Sequence, residues 1–163
     1  MSKFITILIF FTYFSVFSQS KEETEKWIVE KYNEYESPVN STRELIFDDG
    51  FIYYLWIFAD NYGYWTQLPI KDIKQIKIHH KKFDANDQEG WDVITLFFDK
   101  NKSKTKDAKP SDENYYEISE STSFEIKLTN KFISDGLKPR MEKALLHLIK
   151  SYGGNATIKK EPF

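Results

Sequence analysis

Residues 51–59, FIYYLWIFA, place the tightest constraint on what this chain can fold into. In a strand, successive side chains point to opposite faces. Phe51, Tyr53, Leu55, Ile57 and Ala59 then share one face, and Ile52, Tyr54, Trp56 and Phe58 share the other. Both faces are apolar, so neither should look freely into water. One face must fill a sheet core. The other is covered by a helix, or it lines a groove for an apolar ligand, a glycan or a protein partner. On that second reading the surface centres on Tyr54, Trp56 and Phe58, with Trp65 and Trp91 nearby.

The segments around this strand predict an α+β domain. Ser20 and Glu23 have the spacing of a capping box, and a helix follows to about Tyr35, with Ile28, Tyr32 and Tyr35 on one face. Pro38 ends it. "RELIF" precedes Asp48-Asp49-Gly50, whose Asp-Gly pair is a hairpin signal leading into the aromatic strand. "NYGY" turns into "WTQLP", and "PIKDIKQIKIHH" leads into a strand with Ile76 and Ile78 on one face. After a polar loop comes "WDVITLFFD", then a run rich in Lys, Ser and Asp. That run cannot bury enough apolar surface to offset its ordering entropy, so a mobile loop is expected near residues 100–113. "YYEIS" and "SFEIKLT" are the last strands, with "ESTS" between them as a hairpin turn or a kink. The C-terminal helix is expected to have Asp135 as its cap, Pro139 in its first turn and Gly153-Gly154 at its stop. Leu137, Met141, Ala144, Leu145, Leu148 and Tyr152 form its apolar face, opposite His147.

The N-terminus reads as an export signal. A single Lys precedes an apolar run from Phe4 to Phe17, followed by small polar residues. As a helix that run would be about 21 Å long, short of a bilayer core of about 30 Å. Cleavage is expected after Ser18, or else after Ser20, leaving a single domain over residues 19–163. Losing Lys3 with the leader takes 23 basic side chains to 22, against 25 acidic ones. A net charge of that sign gives no bulk attraction to nucleic acid, and membrane contact is expected only during export. With no cysteine, an exported chain has neither a disulfide framework nor thiolate chemistry. The abundance of Lys, Ile, Asn, Phe and Tyr resembles an AT-rich bacterial coding bias, which points to the periplasm, with extracellular release as the alternative. The three N-x-S/T triplets, at Asn40, Asn101 and Asn155, then carry no weight.

Catalytic signals are sparse. His79 and His80 are adjacent, so on a strand they point to opposite faces and cannot chelate one metal. His147 stands among Lys143 and Lys150. "DANDQEG" has the alternation of a calcium loop, but Glu89 stands where the glycine belongs and Thr95 where the closing acid belongs. No phosphate-binding, dinucleotide, nucleophile-elbow or zinc-protease motif is present. No cofactor and no metal are therefore expected. The enzymatic alternative is a small hydrolase in which His80 works with a carboxylate such as Asp84.

About seven short strands between an N-terminal helix and a C-terminal amphipathic helix form an antiparallel sheet or barrel. With "LPIKDIKQIKI" and "RMEKALLHLIKSYGG", this order resembles small exported bacterial proteins with a pleckstrin-homology-like domain, over roughly residues 43–153. The resemblance implies a binding or scaffolding module and carries over no functional residue. Lipocalin-like and cystatin-like arrangements are the alternatives. The expected function is a non-catalytic periplasmic binding module, with a hydrolase or a structural subunit of an envelope assembly as the other readings.

Overall fold

The computed structural model describes residues 20–36, 41–58, 63–82, 89–107 and 117–160. The predicted leader, Asp84 and most of the calcium-like loop lie outside them. The order is α1 (Lys21–Glu34), β1 (Ser41–Asp48), β2 (Phe51–Phe58), β3 (Gly63–Pro69), a 3₁₀ turn (Ile70–Asp72), β4 (Ile73–Lys81), β5 (Trp91–Phe98), β6 (Lys104–Asp107), β7 (Glu117–Ile118), β8 (Ser123–Leu128), α2 (Lys138–Ser151) and β9 (Thr157–Ile158). A five-stranded sheet runs β1-β2-β3-β6-β7, and a four-stranded sheet runs β8-β5-β4-β9. Pairing is antiparallel except between β4 and β9. The α+β class therefore holds, but the described strands form two sheets and not a closed barrel.

Local chemistry explains the element boundaries. The Glu23 N–H donates to Ser20 Oγ at 3.0 Å, and the Ser20 N–H donates to Glu23 Oε2 at 2.9 Å, completing the capping box of α1. Asp49 (φ 42°) and Gly50 (φ 81°) form the two-residue turn between the paired Asp48 and Phe51, with positive φ at both central positions as a type I′ hairpin requires. Gly50→Ala should cost about 1–2 kcal/mol in urea unfolding, because an L side chain is strained there. Its Cβ would also press on the Tyr152 ring at 3.4 Å. Helix α2 ends in a Schellman motif: Gly153 N–H donates to Lys150 O and Gly154 N–H to Ile149 O, with Gly153 at φ 81°.

Asp135 does not cap α2. The residue before the helix is Leu137, without a side-chain cap. Asp135 is already committed to the preceding turn, where its N–H donates to Lys131 O and Gly136 (φ 77°) reverses the chain. Its carboxylate accepts from Tyr35 Oη at 2.8 Å. Two further expectations are corrected. Lys104–Asp107, inside the expected mobile loop, pairs with β3 on one side and β7 on the other, while residues 108–113 of that loop lie outside the described residues. Ser103 is buried there and Lys104 exposed; ladder bonds to strands on both sides, not an apolar face, hold this strand. "ESTS" is neither hairpin turn nor kink: β7 pairs with β6 and β8 with β5, so the segment carries the chain from one sheet to the other.

One core joins all layers. Ile28 and Tyr32 of α1 and Met141, Leu145, Leu148 and Ile149 of α2 pack with the inner faces of both sheets, including Leu45, Ile52, Tyr54, Ile76, Leu96 and Ile126. The even-numbered face of β2 is thus the core face. Tyr53 and Leu55, on the other face, are outside this cluster.

Candidate functional site

The rings expected to form one surface are separated. Tyr54 is 3% exposed and packs edge-on against Tyr32 and Phe124, at centroid distances of 6.2 and 5.1 Å. It is a core residue and not an open surface. Trp56 is half-buried, across the strand pair from Arg43. Trp65 pairs with Leu55, which places it on the opposite face of the same sheet from Tyr54 and Trp56. Trp91 opens β5 opposite Lys81, on the other sheet. The Phe58 side chain lies outside the described positions.

His80 has a different partner from the one the sequence suggested. It sits directly across from Asp92, and its Nδ1 is 3.0 Å from Asp92 Oδ1. Asp92 is 1% exposed, and its Oδ2 accepts the Ile133 N–H at 2.7 Å. The Gly90 backbone packs against the other edge of the ring: a Cβ there would lie 2.5 Å from His80 Nε2. This His–Asp pair ties β4 and β5 to the turn before α2. Among the described residues, no three His, Cys, Asp or Glu side chains come together to hold a metal, and no helix is long and apolar enough to cross a membrane.

A cleft of about 360 Å³ opens beside β9. β9 pairs with β4 only at Gln75 and Ile76, with one more bond from the Lys159 N–H to Ile76 O at 2.8 Å. Past that point Ile78 of β4 and Ile158 of β9 contribute the apolar lining, and the first turns of α2 contribute Lys138 and Glu142. Lys77, Lys159 and Lys160 complete the lining. Lys159 places its amine 4.0 Å from the Phe97 ring centroid, a cation–π contact beside the cleft. Four ammonium groups and one carboxylate line this space, on a chain whose net charge is −2. The composition of the whole chain hides this local excess, and its residues are scattered from position 77 to 160. Sequence reading missed it for that reason.

Comparison with known protein families, with characterised proteins and with solved structures returns no match.

Proposed function

We propose that the protein is a non-catalytic, exported binding module whose ligand is a small polyanion, such as a phosphate ester or a polycarboxylate. The lysine-lined cleft carries this reading. Its volume falls in the lower part of the range for small-molecule sites, and its few charged groups converge around an apolar lining. Two or more anionic groups on the ligand would match ammonium groups on both sides of the cleft. His80 serves the fold through Asp92, so the proposal does not extend to hydrolysis.

Export to the periplasm is part of the same proposal and rests on the character of residues 1–18. So is the finer fold reading, a pleckstrin-homology-like domain that remains open between its sheets. It rests on antiparallel hairpins followed by a helix that packs into the core. Isothermal titration with pyrophosphate and with citrate provides the test. One of them should bind with an affinity that falls as salt rises, because these lysines are near the surface. Lys138→Ala combined with Lys160→Ala should weaken that binding at least about tenfold, equivalent to about 1.4 kcal/mol. Equal affinity in the double variant would remove the cleft from the account.

A further inference from the structure

A second constellation lies where the two sheets meet edge to edge. β1 and β8 are the outermost strands of their sheets. The chain leaving α1 bridges to β8, with Glu36 paired to Leu128 and the Thr129 N–H donating to Tyr35 O at 2.8 Å. Arg43 enters this seam from β1, Trp56 from β2 and Lys127 from β8. The Arg43 guanidinium carbon is 4.7 Å from the Trp56 ring centroid, and Lys127 Nζ is also 4.7 Å from it.

Arg43 is only 6% exposed, yet its Nε and Nη1 have no hydrogen-bond partner among the described residues. Buried charges are ordinarily paired, and buried donors are ordinarily bonded. Stacking on Trp56 satisfies the flat face of the guanidinium only; its N–H groups point outward in the plane of the group.

The surrounding charges do not complete the balance. Glu36, half-buried, is the carboxylate that feels Arg43. Burial pushes its pKa up, while the Arg43 charge and backbone N–H pull it back. Glu125 is taken by Lys81, whose Nζ lies 2.9 Å from each of its carboxylate oxygens. Burial and then Arg43 hold the Lys127 amine below the usual lysine range; Glu125 opposes them, and Lys81 adds the smallest contribution, in the same direction as Arg43. The Tyr54 hydroxyl interacts with Tyr32 and with the Lys127 backbone, in neither case with a hydrogen bond of normal geometry among the described residues. Among the described residues, the seam thus holds Arg43, Lys127 and Lys81 against Glu36 and Glu125, with two buried Arg43 donors unbonded.

We propose that this seam is a second binding site, for a single compact oxyanion (a carboxylate or a phosphoryl group), with Arg43 as its principal donor and Lys127 as the second charge. The oxyanion takes the in-plane edge of the guanidinium that stacking does not satisfy, through charge-assisted hydrogen bonds. The burial of Arg43 Nε and Nη1 favours a compact group. The site shares no residue with the lysine-lined cleft, so either can fail alone.

The test is NMR of the Arg43 Nε–H and Trp56 indole N–H resonances during titration with inorganic phosphate and, separately, with acetate. Ionic strength is held constant with chloride. Both resonances should shift saturably with a Kd of about 1 mM or tighter for at least one anion. Response to acetate alone assigns a carboxylate, response to phosphate alone assigns a phosphoryl group, and response to both assigns the shared chemistry. In Arg43→Lys, which keeps the charge and loses the planar fork, the Trp56 shift should need at least about tenfold more anion. The Lys138→Ala/Lys160→Ala protein should lose cleft binding and keep the Arg43 shift. Unmoved resonances with both anions in the unaltered protein would overturn the proposal, whatever the variants do. An undiminished Trp56 response in a folded Arg43→Lys protein would overturn it as well.

Discussion

Asp92→Ala should lower the unfolding free energy by about 3–5 kcal/mol, because it removes two hydrogen bonds to a buried carboxylate, each worth about 1.5–3 kcal/mol. The carboxylate is 1% exposed and ties two strands to the turn that launches α2. Without it the Ile133 N–H loses its acceptor and His80 loses its partner. Asp92→Asn keeps the shape and one acceptor and should cost less, about 1–3 kcal/mol. His80→Ala leaves the bond to Ile133 in place and should cost about 1 kcal/mol. Urea unfolding of the three variants tests the order. Equal losses for His80→Ala and Asp92→Ala would mean that the imidazole, and not the backbone tie, carries the contribution.

Leu145→Ala and Leu148→Ala should each cost about 2–5 kcal/mol, because both side chains are 2% exposed or less in a core shared by both sheets and both helices. Typical domain stability is about 5–15 kcal/mol, so the double variant should be largely unfolded. His147→Ala, on the exposed side of the same helix, should change stability by less than about 0.5 kcal/mol. Chemical denaturation monitored by tryptophan fluorescence checks all three. A small loss for either leucine would mean that the helix packs less tightly than its burial indicates.

Features set by neighbouring residues were legible in the sequence. The Ser20–Glu23 capping box, the Asp49-Gly50 hairpin and the Gly153-Gly154 helix stop each depend on bonds spanning a few residues. The apolar face of α2 was legible for the same reason. Strand register was not. Trp65 follows Tyr54 and Trp56 closely in the chain, yet pairing with Leu55 turns it to the opposite face. Asp135 had the right residue type for a cap and the wrong partner, because the turn before it had already taken its backbone.

Two charged residues stand in the apolar register of their strands. Arg43 has the same strand parity as the buried Leu45 and the half-buried Phe47. Asp92 has the parity of the buried Ile94, Leu96 and Phe98. A charge in the apolar register of a strand is costly unless something pairs with it. Asp92 has its partners in His80 and Ile133, whereas Arg43 has two donors unbonded among the described residues. The lysine-lined cleft gave no such signal, because three elements distant in sequence have to meet before its charges add.

The most direct test of the binding proposal is a two-dimensional amide NMR titration of the intact protein with pyrophosphate and with citrate. The account predicts saturable shifts centred on Lys77, Ile78, Lys138, Glu142 and Ile158–Lys160, fading as salt is raised. Shifts spread evenly over surface lysines, or none around Ile78 and Ile158 with either anion, would contradict it.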